Sequence, residues 1–234
     1  MSDSRIGTCT LGVIPRTVAI VDDFLPMYEI RKIKGYGTDL LEIRVDGFPG
    51  DIEAICDYII NIKTAFSLPL IGTVRENKRT KNDRIAFFAK IIPLVDAIDI
   101  EIDAPIADKV IAMASKKTII VSEHDFSGTP VNAVLSRIVR RASALGCDIV
   151  KIAALARSRE DVVRLLEFTH RCTIPIVAFS MGEHGSISRV LSMLFGSLYS
   201  YGFIKAANAP GQVHIRTLVE ELRRYYPELH RRGR

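Results

Sequence analysis

The segment DIVKIAA, residues 148–154, reads as a strand with one residue out of keeping. Ile149, Val150 and Ile152 form a nearly continuous apolar run, the pattern of a parallel strand covered on both faces by helices. Lys151 sits in the middle of it. A lysine is seldom fully buried without a partner, and an isolated ammonium in apolar surroundings tends to give up its proton. The segment therefore predicts a buried parallel strand that carries a chemically useful amine.

The flanks extend the pattern. Before it, TPVNAVLSRIVRRASALG (129–146) has helical periodicity, with Thr129 expected as N-cap, Pro130 in the first turn and Gly146 just past the end. After it, SREDVVRLLEFTHR (158–171) opens on Ser158 with Asp161 three residues on, the spacing of a capping box. The alternation then repeats in both directions. Strands are expected at 16–23, 40–47, 69–76, 97–103, 117–125, 148–154, 174–181 and 200–206. Helical patterns follow them at 25–35, 51–66, 83–95, 105–116 (with Pro105 placed to open it), 129–146, 158–171, 186–197 and 213–226. Eight strand–helix units with no linker between them predict an α/β fold, a single-domain (β/α)8 TIM barrel over 1–234, with a short N-terminal extension 1–15 and a basic C-terminal tail 228–234. A doubly wound open sheet is the alternative, but no glycine-rich phosphate loop follows the first strand.

Bulk composition agrees with a globular enzyme. The chain has 234 residues, 48% hydrophobic and 25% charged, so a large core is available without staples. Cys9, Cys56, Cys147 and Cys172 are scattered, without a CxxC pair, and are expected as free thiols in a reducing compartment. No secretory h-region and no apolar run of membrane-spanning length occurs, so the expected setting is cytoplasmic. The net charge of +5 is concentrated in ELRRYYPELHRRGR and in the loop RENKRTKNDR. Such tails and loops are usually solvated, and neither a nucleic-acid nor a membrane partner is expected.

In barrels of this kind the chemistry lies at the C-terminal ends of the strands. Those ends carry Glu42, Arg44 and Asp46, then Arg75, Asp99 and Glu101, His124, Lys151, Ser180 and Met181; Asn208 and Gln212 follow the last strand. Glu42, Arg44 and Asp46 are spaced by two and share one strand face. They are either an internal salt-bridge layer or part of a site, and Asp99 and Glu101 are open to the same two readings. Lys151 is either an imine-forming amine or the cation of an ion pair with Asp99 or Glu101. His124 is either a proton shuttle or a satisfied core histidine. A metal centre is not expected, because arginines interleave the carboxylates and no HxH or HExxH pair occurs.

Five motifs then point further: EIRVD (42–46), EHDFSGTP (123–130), DIVKIA (148–153), FSMGEHGSISR (179–189) and ANAPGQ (207–212). In this order and spacing the chain resembles type I 3-dehydroquinate dehydratase, from the strand at 40 to the helix after Gln212. The resemblance implies a hydro-lyase (carbon–oxygen lyase, EC 4.2.1.10) whose small-molecule substrate is 3-dehydroquinate. It would yield 3-dehydroshikimate, the third step of the shikimate pathway towards chorismate and the aromatic amino acids, with no metal or organic cofactor. It further implies that Lys151 forms the Schiff base with the C3 ketone, that His124 is the general acid and base, and that Arg189 binds the substrate carboxylate. Gln212 and Asn208 would contact substrate from the lid, and Glu42, Arg44 and Arg75 would surround the ring hydroxyls. Asp99 and Glu101 would stand behind the site, with Asp46 and Met181 in support. The charges of Arg44, Arg75 and Arg189 are expected to favour the neutral amine of Lys151.

Departures from the family pattern fall mostly around the site. Arg79 stands in RENKRTKND where members often carry glutamate, which predicts a displaced loop or one with a reduced role. Asn208 replaces a common serine, Phe179 a common methionine, and Tyr201 a frequent phenylalanine. A class I aldolase on the same barrel is the nearest rival, and a non-catalytic binding barrel a more distant one. A homodimer is expected from the resemblance; Leu191, Met193, Leu194, Leu218 and Leu222 are either apolar surface for it or residues that the barrel buries against its own strands.

Overall fold

The computed structural model describes residues 4–207 and 209–229. An antiparallel hairpin, β1 (Arg5–Ile6) with β2 (Cys9–Thr10), opens the chain. The alternation follows as β3 (Thr17–Val21), α1 (Met27–Tyr36), β4 (Leu40–Arg44), α2 (Ile52–Phe66), β5 (Leu70–Thr73), α3 (Arg84–Ile91), β6 (Ala97–Glu101) and α4 (Ala107–Met113). It continues through β7 (Thr118–Asp125), α5 (Asn132–Ala144), β8 (Ile149–Leu155), α6 (Arg159–Arg171), β9 (Ile176–Met181), α7 (Ser188–Leu191), β10 (Ser200–Phe203), β11 (Val213–His214) and α8 (Ile215–Tyr225). Each expected strand is present, and the chain is a TIM-barrel-like α/β domain.

Strands β3 to β9 pair in parallel in chain order, and the sheet curls until β10 pairs with β3. Between β9 and β10 no ladder forms. The Leu198 N–H donates to the Ile176 carbonyl at 3.0 Å where the seam begins, and β11 lies along the free edge of β10. The short β11 falls inside the segment expected to begin the last helix. His214 ends it by accepting from the Arg216 N–H at Nδ1, so α8 starts at Ile215. Gly202 permits this approach: a Cβ there would lie 2.5 Å from Ile215 Cα.

Alternation along the strands divides the core in two. Outward residues such as Ile43, Ile98, Val121, Val150 and Ile152 pack against helix stripes that include Ile55, Ile59, Ile62, Phe88 and Leu165. Helix α2 shows why the stripes form. Asp51 caps it by accepting from the Ala54 N–H at 2.8 Å, and Ile52, Ile55, Ile59 and Ile62 recur at helical spacing. Inward residues Val18, Leu40, Ile71, Ala97, Ile120, Ile149, Val177 and Tyr199 fill the lower barrel, joined by Ile6 and Leu11 from the N-terminal hairpin. The hairpin thus plugs the end opposite the strand C-termini, each buried aliphatic adding about 1.5–3 kcal/mol.

Several local expectations are corrected. Thr129 does not cap α5: its hydroxyl donates to the Leu155 carbonyl, and Val131 holds the cap position. Ser158 is the N-cap residue of α6, but its side chain makes no cap bond there; Asp161 reaches back to the Arg157 N–H at 2.9 Å. Pro105 lies two residues before α4. The segment 186–197 is helical only over Ser188–Leu191, because its serines bond elsewhere: Ser188 Oγ donates to the Gly185 carbonyl and accepts from the Ser180 N–H, and Ser197 Oγ accepts from the Ala178 N–H. Leu218 and Leu222 are buried inside the barrel's own core and offer no external surface. The four cysteines are unpaired. No helix among the described residues is long and apolar enough to cross a membrane.

Candidate active site

Above the apolar inner layer the same alternation brings polar groups inward. Two residues after Leu40 comes Glu42, after Ile71 Thr73, after Ala97 Asp99, after Ile120 Ser122, after Ile149 Lys151 and after Tyr199 Tyr201. One step higher stand Arg44, Arg75, Glu101, His124, Ala153 and Met181, which with Arg189 and Gln212 line a cavity of about 350 Å³ at the mouth.

Lys151 forms the floor, 4% exposed. It donates to Asp99 Oδ2 at 2.9 Å, to Tyr201 OH at 3.1 Å and to Glu42 Oε2 at 3.3 Å, which accounts for all three ammonium protons. The carboxylates are themselves held. Glu42 Oε1 accepts from Thr73 Oγ1 at 3.0 Å, and Asp99 Oδ1 accepts from Arg75 Nη2 at 2.7 Å and Ser122 Oγ at 2.6 Å. Burial alone would raise Asp99, but the Arg75 and Lys151 charges outweigh it and hold its carboxyl far below the usual range. The arginine charges were expected to favour the neutral amine; two carboxylates bond to it directly. The ion pair anticipated with Asp99 is present, and its second member is Glu42 rather than Glu101.

Glu101 belongs to the next link outward. It pairs with Arg84, whose Nε also donates to the Val74 carbonyl, and lies 3.2 Å from Arg75 Nη1. Arg44 forks onto Asp46, at 3.1 and 2.8 Å, and Asp46 Oδ1 also accepts from the Arg75 N–H. Asp46 thus holds two strand ends together. The 76–83 loop, expected to be displaced or idle, is tied down. Arg79 donates to the Val45 and Gly50 carbonyls, Asn77 Nδ2 to the Asp46 carbonyl, and Thr80 Oγ1 to the Arg75 carbonyl at 2.7 Å. Arg79 therefore anchors the loop to the turn that follows β4.

Arg189 is 1% exposed, and among the described residues no carboxylate pairs with it. Nε donates to the Gly211 carbonyl at 3.0 Å, the guanidinium carbon lies 4.8 Å from the Phe179 ring centroid, and Nη2 is buried without a hydrogen-bond partner. Burial with no compensating anion brings its pKa down to about 10. A buried guanidinium left in this state is prepared for an incoming anion. Gly211 allows the lid to lie so close: it takes φ +72°, and a Cβ would meet the Gly182 carbonyl. Gln212 and Ala209 complete that wall; Asn208 lies outside the described residues.

His124 is half-buried at the cavity wall, its ring stacked towards Phe126 at 6.5 Å. Burial, then the Arg75 and Lys151 charges, push its pKa well below the ordinary value, against the opposing pull of Asp99. The imidazole is neutral at neutral pH. An unfolded chain's histidine gains its proton below about pH 6.5, whereas the folded one resists. Below that pH the unfolded state binds more protons, so stability falls with acidification. Thermal melts between about pH 8 and pH 5 should show a smaller acid loss in His124→Gln than in the parent chain; equal slopes would remove His124 from this account.

Sequence reading did not single out Thr73 and Ser122, which orient the two carboxylates, nor Phe126, and it noted Tyr201 without a role. For two of them the signal was available: Thr73 and Ser122 stand two residues before Arg75 and His124, strand-end positions already identified.

The comparisons with known proteins agree with this geometry. A family profile described as type I 3-dehydroquinase matches residues 22–227. The 3-dehydroquinate dehydratase of Thermodesulfovibrio yellowstonii is 33% identical over 214 residues, covering 88% of this chain and 93% of that one. Among solved structures, the 3-dehydroquinate dehydratase of Geobacillus kaustophilus superposes with a TM-score of 0.81 at 26% identity, covering 95% of this chain and 96% of that one. The type I enzyme of Clostridium difficile, solved with covalently modified comenic acid, gives 0.82 at 26% identity, with 95% and 97% covered. By sequence over most of its length and by fold, the chain belongs to the type I 3-dehydroquinase family, and its activity is that of a hydro-lyase, EC 4.2.1.10.

Proposed function

We propose that this cavity dehydrates 3-dehydroquinate through an imine on Lys151, with His124 moving the protons and Arg189 binding the substrate carboxylate. One observation carries the reading: two buried cations line the same cavity, an amine on the floor and an arginine in the wall that has no counter-ion. A substrate bearing a ketone and a carboxylate answers both. The covalently modified ligand of the Clostridium difficile relative supports a covalent route.

The chemistry follows from the groups at hand. Protons next to a ketone are weakly acidic, and direct removal would leave a costly enolate. Condensation with Lys151 gives a protonated iminium that accepts the electron pair, so loss of the C2 proton yields an enamine. His124, neutral as a base must be, takes that proton. The enamine expels the C1 hydroxyl, and His124 returns the proton to it, so that water leaves. Hydrolysis of the conjugated iminium then frees 3-dehydroshikimate and restores the amine. Arg44, Arg75, Gln212 and Asn208 would fix the ring hydroxyls, while Glu42 and Asp99 hold Nζ beneath C3. The same reading includes a cytoplasmic setting and a homodimer, for which exposed Val13, Leu191, Leu194 and Tyr225 form one apolar surface.

Borohydride reduction of the protein mixed with 3-dehydroquinate, followed by peptide mapping, tests the reading. The expected adduct is a secondary amine on Lys151. His124→Ala should still form it, slowly, while turnover falls about 10²–10⁴-fold. An adduct elsewhere, no adduct beside a labelled control enzyme, or normal turnover in His124→Ala would each defeat the assignment.

A further inference from the structure

Resting on the imine reading above, we propose that Tyr201 is, beside His124, a catalytic proton carrier for making and breaking that imine: its phenol passes a proton between the Lys151 amine and Glu42.

The geometry carries the proposal. Tyr201 OH is a direct partner of the reacting atom, 3.1 Å from Lys151 Nζ, and Nζ lies 3.3 Å from Glu42 Oε2, whose charge also acts on the phenol. An ammonium can only donate, so the phenol oxygen accepts from Nζ and its own O–H is free to donate to Glu42. The ring is fixed for this task. It is 2% exposed and meets Phe179 and Tyr199 edge-on, with centroids at 5.8 and 5.6 Å.

The alternative acceptors are less suited. Asp99 is committed to the anion by Arg75 and Lys151, and a proton moved there would face both charges. Glu42 has a hydroxyl, Thr73, as its partner on the other oxygen, and its direct contact with Nζ is the longest of the three at 3.3 Å. Glu42 is therefore the acceptor at the far end, and the phenol is the bridge to it. Burial and the Glu42 charge keep Tyr201 well above the usual phenol range. It does not stand as a phenolate; it gives a proton to Glu42 as it takes one from Nζ.

The steps balance. One ammonium proton leaves Nζ through Tyr201 and rests on Glu42. The neutral amine attacks C3, the carbonyl π pair moves to oxygen, and a second N–H proton follows to that oxygen, giving the carbinolamine. Its oxygen is geminal to Nζ, so a phenol bonded to Nζ also reaches it. The stored proton returns from Glu42 through Tyr201, the C–O bond breaks towards oxygen, water leaves, and the nitrogen lone pair completes the iminium. Hydrolysis runs the same path backwards, and no outside acid is consumed.

Rapid-quench borohydride trapping with 3-dehydroquinate tests this on Tyr201→Phe, with Tyr199→Phe as a control that removes a neighbouring phenol making no bond to Lys151. The Tyr201→Phe protein should reach the same final adduct on Lys151 at a rate about 10–100-fold lower, with kcat following it. KM should stay within about threefold, because Arg189 is untouched. Equal rates in Tyr201→Phe and the parent, or equal slowing in Tyr199→Phe, would overturn the proposal. Circular dichroism checks folding; should Tyr201→Phe not fold, Glu42→Gln must show the slowed trapping, and a parental rate there would overturn the relay. Failure of the parent protein itself to be labelled on Lys151 would instead defeat the imine reading, so the two failures are distinct.

Discussion

Lys151→Ala is expected to lose more than about 10⁴-fold in kcat, together with every borohydride-trappable adduct, because the substrate then has neither a covalent electron sink nor an intramolecular nucleophile. The same change is expected to lower stability. Lys151 is the cation between two buried carboxylates, and removing one partner of such a pair costs about 3–5 kcal/mol. The loss will not be shared equally. Asp99 keeps Arg75 and Ser122, whereas Glu42 keeps Thr73. Adding Glu42→Gln to Lys151→Ala should therefore recover much of the stability while turnover stays absent. Denaturant unfolding and the ultraviolet absorbance of the conjugated product measure the two quantities separately. Turnover surviving in Lys151→Ala would end the covalent mechanism, and a double variant no more stable than the single one would end the account of the charge pair.

Arg189→Met should move activity and stability in opposite directions. Charge-assisted hydrogen bonds to a carboxylate contribute about 1.5–3 kcal/mol each, so losing the clamp should raise KM by about 10²-fold. Yet in the free protein the guanidinium is buried, Nη2 has no partner, and burial has drawn its pKa down to about 10. Exchanging a buried ion for an apolar side chain of similar length is often neutral or stabilising by about 1–4 kcal/mol. Against that gain stand the lost bonds from Nε to the Gly211 carbonyl, which ties the lid to α7, and from Nη1 to the Tyr201 carbonyl in β10. The expected outcome is a Tm at or above that of the parent chain beside a large loss of affinity. An unchanged KM would refute the carboxylate assignment; a steep fall in Tm would mean that Arg189 is kept for structure.

Much of the barrel was legible in the sequence because strand and helix patterns are local. Continuous β-branched runs marked each parallel strand, and in α2 the recurrence of Ile52, Ile55, Ile59 and Ile62 marked a stripe facing the sheet. Where expectation failed, a hydroxyl or a turn found a non-local partner. Thr129 bonds across to Leu155 instead of capping α5, the serines of 186–197 bond to β9 and its loop instead of extending a helix, and Val213–His214 pairs with β10 before α8 can begin. None of those partners is visible from within the segment that uses them.

The candidate site divides along the same line. By itself the sequence determined the eight-unit alternation, the family, and which side chains alternation sends to the barrel mouth, since the period of two in a strand is a property of neighbouring residues. Only the tertiary structure decided which of them meet. Lys151 finds Glu42 from 109 residues away, Asp99 from 52 and Tyr201 from 50, while Glu101, an equally plausible partner in the sequence, is taken up by Arg75 and Arg84. That choice depends on how far each strand is staggered against the next as the sheet curls to bring β10 beside β3, and stagger summed around a barrel is set by packing, not by any one segment. For the same reason Arg189 could be recognised in the sequence by its motif, but its lack of a counter-ion emerged only once the interior had been filled.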